Sequence, residues 1–204
     1  MKLDVYKNLG MINNNLYVII ENKKAILIDT PEGTIEIIKK YEDKGIKIVR
    51  ALITHGHPDH ITEAKKIQEK GIEISAHKKE EALLIKPWAI SFLKADPLNI
   101  DTEIKDKEEI TLGEVTIKSF HTPGHTLGGL CFYIKNEGIL FTGDVLFKNS
   151  IGRTDFPGGN YQEIIKSIKE KILILPESTK VYPGHGDKTT IRSEKKTNPF
   201  ISHL

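Results

Sequence analysis

One six-residue segment constrains this chain more than any other feature. Residues 55–60 read HGHPDH and follow the apolar run 48–53, so three imidazoles and a carboxylate lie on one turn after a predicted strand. Structural zinc sites are closed by four ligands rich in Cys, whereas His and carboxylate ligands leave coordination positions for water or substrate. Because Cys131 is the only cysteine, the segment predicts a catalytic metal site and excludes a Cys-based zinc cage.

Composition limits the class of protein. A chain of 204 residues with 38% hydrophobic content is long enough to bury one sizeable core, which predicts a single domain over residues 1–204. The formal net charge is +2 and no run of five or more like charges occurs, so we expect no nucleic-acid partner. Residues 1–7 lack a signal peptide's apolar region, and no later stretch reads as a membrane span. We therefore expect a cytoplasmic protein without a membrane partner.

The spacing of apolar residues predicts alternating strands and helices. In the first half the predicted elements are strands 16–20 and 25–28, a helix through residues 35–41, strand 46–53, helix 61–70 and strand 72–75. Residues 86–107 have no regular period and are interpreted as a loop that borders the site. The second half contains predicted strands 109–112, 114–120, 130–134 and 139–141, helix 161–173 and strand 180–182. Two halves of similar order predict a duplicated α/β architecture, with two sheets face to face and helices outside.

Three further candidate ligands lie in glycine-containing loops at predicted strand ends. His125 is in the segment HTPGHT at 121–126, Asp144 ends FTGD at 141–144, and His185 is in YPGHG at 182–186. Glycine allows the backbone to approach an ion closely, and loops at strand ends are where α/β folds assemble their sites. His77, His121 and His203 have no place in this pattern and are interpreted as ordinary histidines.

The ordered set His-x-His-x-Asp-His at 55–60, then His125, Asp144 and His185, resembles the metallo-β-lactamase superfamily. The resemblance extends over nearly the whole chain, and five ordered segments at compatible spacing make it specific. It implies an αβ/βα four-layer sandwich with a two-metal site along one edge of the sheets. This agrees with the duplicated architecture that the apolar pattern predicts.

The resemblance implies a role for each candidate ligand. The first metal would be held by His55, His57 and His125, the second by Asp59, His60 and His185, and Asp144 would bridge the two. Two divalent ions are therefore expected, with zinc first and with iron or manganese as alternatives, because His and carboxylate ligands suit all three. Asp59 and Asp144 are the carboxylates assigned to catalysis, in which a metal-bridging hydroxide attacks a carbonyl.

One candidate supporting residue also matches a position of the superfamily. Asp29 ends the predicted strand 25–28 and could orient a ligand histidine. The alternative is an ordinary turn aspartate before Pro31.

Two segments are similar to short bacterial type II glyoxalases, which are hydroxyacylglutathione hydrolases, and the first of the two is also similar to persulfide dioxygenases. These segments are GRTDF at 152–156, closely after Asp144, and NPF at 198–200. The similarity implies hydrolysis of a small-molecule thioester such as S-lactoylglutathione to lactate and a thiol, by a monomer or homodimer. Arg153 would contact the substrate, and its alternative interpretation is a structural salt bridge within the loop. The longer glyoxalases bind glutathione with a C-terminal helical extension that we do not expect in this protein, which leaves the identity of the thiol open.

Other readings of the same residues stay open. A persulfide dioxygenase would use one iron held by His55 or His57, with His125 and Asp144, but those enzymes carry Cys where this chain has Ile151. A secreted zinc β-lactamase would need an export signal and usually a Cys ligand. The third reading is a metal-binding protein without catalytic activity.

Overall fold

Two six-stranded sheets form the centre of the computed structural model, which describes residues 1–87 and 94–202. The first sheet contains, in spatial order, β1 (Lys2–Leu9), β2 (Asn14–Glu21), β3 (Lys24–Ile28), β4 (Lys47–Leu52), β5 (Glu73–Ala76) and β6 (Thr102–Glu103). The strands of the second sheet are β7 (Glu109–Leu112), β8 (Val115–His121), β9 (Leu130–Ile134), β10 (Ile139–Gly143), β13 (Lys180–Pro183) and β14 (Thr189–Thr190). A short ribbon pairs β11 (Leu146–Phe147) with β12 (Ser150–Ile151).

The helices lie on the outer faces of the two sheets. They are α1 (Thr34–Glu42), α2 (Pro58–Ile61), α3 (Ala64–Glu69), α4 (Glu81–Ile85), α5 (Tyr161–Ser167) and α6 (Ile191–Thr197). A 3₁₀ turn over Lys78–Glu80 leads directly into α4, and α5 continues as a π-helical segment over Ile168–Ile172. Within the described residues, no helix has the length and apolarity needed to cross a bilayer.

The side-chain period of the strands separates three layers of apolar core. On β2, Leu16 and Val18 face the helices of the first sheet, whereas Tyr17 and Ile19 face the second sheet. Phe132 on β9 packs into the same layer between the sheets. Strands that are buried on both faces read as continuous apolar runs, which explains why the sequence shows no polar alternation there. The predicted αβ/βα four-layer sandwich is confirmed.

Parallel pairing brings several strand ends to one edge of the sandwich. β3, β4 and β5 are parallel neighbours in the first sheet, and β10 and β13 are parallel in the second. Parallel strands end at the same side of a sheet, and sites in α/β folds form outside those carboxyl ends. The loops that carry Asp29, residues 55–60, Asp144 and His185 all begin there.

Three local predictions differ from the structure. The predicted helix 61–70 is divided into α2 and α3, because the backbone leaves the helical conformation at Glu63, where the N–H donates to the Thr30 carbonyl at 3.0 Å. β1 was not predicted, since none of its residues is fully buried and lysines interrupt its pattern. The predicted loop 86–107 contains β6, paired with β5; its residues 88–93 lie outside the described residues.

The layer between the sheets predicts a clear difference between two truncations. Phe132→Ala should lower the free energy of unfolding by about 3–5 kcal/mol, because Phe132 is fully buried and the truncation leaves a cavity. Ile174→Ala should change it by less than about 0.5 kcal/mol, since Ile174 is 73% exposed. Urea unfolding of both variants at matched metal content measures the difference. Equal effects would contradict the assignment of Phe132 to the central layer.

Candidate metal centre

The strand-end loops bring all seven predicted ligands together. Their donor atoms form three overlapping groups, and within each group the atoms lie within 4.8 Å of one another. The groups are His55 with His57 and His125, His55 with His60 and Asp144, and Asp59 with His60 and His185. Most of these side chains are buried. Their proximity was predicted from the sequence, and their assignment as ligands of two ions stays a prediction.

The first predicted site has the spacing of a coordination shell. His57 Nδ1 lies 3.1 Å from His55 Nε2 and 3.0 Å from His125 Nε2. Nitrogen ligands at 2.0–2.1 Å from a tetrahedral zinc would be separated by about 3.3 Å. The three imidazoles therefore fit a single divalent ion.

The second predicted site has similar distances. Asp59 Oδ2 lies 3.2 Å from both His60 Nε2 and His185 Nε2, and the two nitrogens are 3.3 Å apart. Asn14 Nδ2 donates a hydrogen bond of 2.8 Å to the same Asp59 oxygen, which fixes the carboxylate. This donor set of two imidazoles and one carboxylate also fits one divalent ion.

Asp144 lies between the two groups of donors. One oxygen, Oδ1, is 3.4 Å from His60 Nε2, and the other, Oδ2, is 3.7 Å from His125 Nε2 and 3.6 Å from His185 Nε2. Gly184 is required at this point, because a Cβ there would overlap Asp144 Oδ1. The carboxylate is thus placed within reach of both predicted sites.

Hydrogen bonds on the outer ring nitrogens set the tautomers of three histidines. The Nδ1–H of His60 donates to Asp29 Oδ2 at 2.8 Å. The Nδ1–H of His125 donates to the Arg153 carbonyl at 2.8 Å, and that of His185 donates to the Ile12 carbonyl at 3.1 Å. Each bond directs the Nε2 atom of its histidine into the cluster, which is the orientation that metal ligation requires. His57 differs, since its Nδ1 faces the other imidazoles.

Asp29 connects the two halves of the HGHPDH segment. Its carboxylate accepts hydrogen bonds from Thr54 N at 2.7 Å, from Thr54 Oγ1 at 2.8 Å and from His60 Nδ1 at 2.8 Å. Thr54 Oγ1 then has a lone pair for the Nδ1–H of His55, 3.1 Å away. These contacts support the interpretation that Asp29 orients ligand histidines. Its left-handed backbone, with φ of 63°, forms the turn after β3, a conformation that Asp tolerates.

The electrostatics of the cluster favour a cation. Burial lowers the pKa of His55, and burial together with His125 lowers the pKa of His57 to about 3, so both are neutral at pH 7, as ligands must be. Burial acts in the same direction on His60, but Asp59, Asp144 and Asp29 outweigh it and raise its pKa well above the ordinary value. The same carboxylates would stabilise a metal ion beside His60.

Glu80 is a supporting residue that the sequence analysis did not identify. It is fully buried and accepts hydrogen bonds from Gly56 N at 2.7 Å and from Gly128 N at 2.6 Å. Gly56 lies between His55 and His57, and Gly128 follows His125 by three residues. One carboxylate therefore holds the two loops that carry the first group of ligands. Its partners are backbone amides, which leave no signature in a sequence.

Arg153 reaches the centre through its backbone. Its carbonyl accepts the hydrogen bond from His125, while its guanidinium contacts both oxygens of Asp155 at 2.7 and 2.6 Å. The guanidinium carbon also lies 3.7 Å from the centroid of the Phe156 ring. The structure thus shows the intraloop salt bridge, and the predicted contact of Arg153 with substrate stays a prediction.

The remaining histidines stand apart from the ligand cluster. His77 and His121 stack on each other with ring centroids 4.1 Å apart. His203 lies outside the described residues.

Asp29 provides a test of how the centre is held. Asp29→Asn should weaken metal affinity by about 10–100-fold, because loss of an outer partner of a ligand histidine has effects of that size. Asp101→Asn is a matched control, since Asp101 also accepts a backbone hydrogen bond, from Ile74 N at 2.8 Å, at another place in the fold. Competition with a chromophoric chelator measures both affinities. Unchanged affinity in Asp29→Asn would refute the orienting role.

Comparisons with known proteins agree with this geometry. The profile of the Metallo-beta-lactamase superfamily matches residues 9–185. Hydroxyacylglutathione hydrolase GloC of Haemophilus influenzae is 35% identical over 190 residues, which cover 89% of each chain. The crystal structure of BLEG-1 B3 metallo-beta-lactamase has a TM-score of 0.91 and 34% identity, over 98% of this chain and 100% of that one.

A further solved structure is similar over nearly all of its length. TTHA1623 in a di-iron-bound form has a TM-score of 0.82 and 28% identity, over 95% of this chain and 98% of that one. The predicted family is confirmed by the profile and by relatives above 30% identity that match most of their own length. The chain belongs to the metallo-β-lactamase superfamily and is a metal-dependent hydrolase.

Proposed function

We propose that this chain hydrolyses a hydroxyacyl thioester of the S-lactoylglutathione type, with two divalent ions at the centre. The observation that carries the proposal is the position of Asp144, whose two oxygens lie 3.4–3.7 Å from ligand nitrogens of both predicted sites. The similarity to GloC over 89% of each chain supports this substrate class. The segment at 152–156 that resembles short glyoxalases contacts the centre through the Arg153 carbonyl.

The seven side chains would hold the ions, with His55, His57 and His125 at the first, Asp59, His60 and His185 at the second, and Asp144 shared. When bound, such ions supply Lewis acidity toward a carbonyl oxygen and lower the pKa of water to about 7.

The chain's own groups prepare the site in two ways. Outer hydrogen bonds to Asp29 and to the carbonyls of Arg153 and Ile12 orient the imidazoles, so that the other ring nitrogen of each faces the cluster. Burial would raise the pKa of Asp144, but the nearby His60 outweighs it and lowers that pKa to about 2. The carboxylate therefore stays ionised across the physiological range, and no side chain has to act as a proton acceptor from water.

A second candidate is hydrolysis of a β-lactam. The specific observation in its favour is the similarity to the BLEG-1 B3 metallo-beta-lactamase, at a TM-score of 0.91 and 34% identity. Both reactions add a nucleophile to an acyl carbon, so the same centre is chemically suited to either. Substrate assays on one metal-quantified preparation distinguish them.

The proposal predicts rapid loss of thioester absorbance with S-lactoylglutathione on protein that contains two ions per chain, measured without oxygen. Nitrocefin in parallel tests the β-lactam candidate, and oxygen uptake with glutathione persulfide tests the single-iron reading. Turnover of nitrocefin alone, or oxygen uptake with one iron, would overturn the thioesterase proposal.

The two-metal arrangement predicts that one aspartate is indispensable. Asp59→Ala should reduce the metal content to about one ion per chain and kcat/KM by at least about 100-fold, because metal polarisation of the carbonyl contributes several kcal/mol. Asp43→Ala is the control, since Asp43 is exposed at the end of α1. Elemental analysis and steady-state kinetics give the two readouts. Full activity with a single ion would exclude the two-metal version.

A further inference from the structure

We propose that a cleft beside the metal centre binds the thiol half of the substrate, and that Lys79 and Lys86 there recognise a carboxylate on that thiol. This inference rests on the proposed thioesterase function and narrows its substrate class. It names a subsite that the seven predicted ligands and Arg153 do not form.

The cleft adjoins the loops that carry the first group of ligands. It has a volume of about 600 Å³, within the range of small-molecule sites, and its lining residues include Leu83, Leu127 and Pro157. Leu83 packs against the HGHPDH segment, because a Cβ on Gly56 would come within 2.7 Å of Leu83 Cβ. Leu127 follows His125 by two residues. None of the seven predicted ligands lines the cleft, so a ligand there would contact side chains that adjoin the segments carrying the first group of ligands.

The lining combines apolar surface with charge of one sign. Lys79 and Lys86 are its charged residues, and Ala82, Leu83 and Leu127 supply apolar contacts. Leu127 is 51% exposed, so a ligand that covers it gains from burial of apolar area. Among the residues that the structure describes, none that lines the cleft is acidic. The surface is complementary to a ligand with an aliphatic body and a carboxylate.

Neither lysine is neutralised by a neighbour within residues 1–87 and 94–202, where the ion pairs formed by lysines involve other positions. Two unpaired ammonium groups beside a low-dielectric wall raise the local concentration of anions. Charge-assisted hydrogen bonds to a carboxylate are stronger than neutral ones. Both lysines are therefore available to a ligand.

The Arg153 guanidinium is less available to a substrate carboxylate than the two lysines are. Its Nε and one terminal nitrogen donate to the two Asp155 oxygens, and the guanidinium lies over the Phe156 ring. A substrate carboxylate would have to displace Asp155 to reach it. Lys79 and Lys86 are therefore better placed than Arg153 to bind an anion. They lie on a different segment of the chain from GRTDF at 152–156, the motif that the sequence analysis associates with substrate contact.

The inference selects a substrate class by chemistry. The expected thiol is of peptide size and carries at least one carboxylate, which glutathione does, whereas a neutral thiol of similar length would lack the interaction. The acyl group remains at the metal centre in either case. Discrimination between thiols should therefore be expressed mainly in KM.

A double variant tests the subsite. Lys79→Gln/Lys86→Gln should raise KM for S-lactoylglutathione about tenfold, the size expected for two partly exposed ion pairs, and leave kcat unchanged. S-lactoyl-N-acetylcysteamine, which has the same acyl group on a neutral thiol, should show no change. Lys78→Gln is the matched control, because Lys78 lies in the same turn and does not line the cleft. Added salt should weaken the wild-type preference for the anionic substrate.

Two results would overturn the subsite, namely equal losses on both thioesters or no loss on either. If wild-type protein hydrolyses neither thioester, the proposed function fails while the subsite remains testable by calorimetry with S-methylglutathione. Binding by wild type that is weakened about tenfold in the double variant would then support the subsite. Absence of binding to the metal-loaded wild type would refute it.

Discussion

Buried carboxylates impose the strongest constraint on this structure. Asp29 and Asp59 are 2% and 7% exposed, and a buried charge is costly unless it is paired and hydrogen-bonded. Asp29 meets this requirement through Thr54 and His60. Those two residues come from the end of β4 and from α2, so satisfying one carboxylate fixes how the helix leaves the sheet. The ligand histidines are oriented as a consequence, and the surplus negative charge favours a bound cation.

Glu80 extends the same principle to a second segment. Its carboxylate joins the backbone near Gly56 to that at Gly128, and a Cβ at either glycine would crowd Glu80. The turn that carries Glu80 also carries Lys79 and leads into the helix with Leu83. A displacement of the cleft wall would therefore move the hydrogen bonds that hold the first group of ligands. The proposed substrate subsite and the predicted metal site share one rigid support.

The sequence predicted the parts of this protein that depend on local pattern. Strands buried on both faces, such as β2 and β9, are apolar along almost their whole length, and each predicted ligand lies in a segment that follows a predicted strand. The contributions that were not predicted depend on partners distant in sequence. β1 has exposed lysines and forms by pairing with β2, and the predicted helix is divided at Glu63 because its backbone N–H donates to the distant Thr30 carbonyl. Glu80 accepts hydrogen bonds from backbone amides, and a backbone N–H group carries no sequence pattern from which this contact could be predicted.

The residues that would carry out the chemistry lie where strands end, whereas those that would select a substrate lie at a short helical segment on the surface. The seven predicted ligands occupy segments that follow strand ends, with Asp59 and His60 on the short helix α2, and their positions follow from sheet topology, so family membership identifies them well. Lys79 and Lys86 lie on and after a short helical segment whose outer surface is free to vary without disturbing Glu80. A relative could therefore keep every ligand, replace both lysines and accept a neutral thiol. Motifs near the metals are for this reason a poor guide to the thiol, and the charge of the cleft wall is the physical feature that distinguishes one thiol from another.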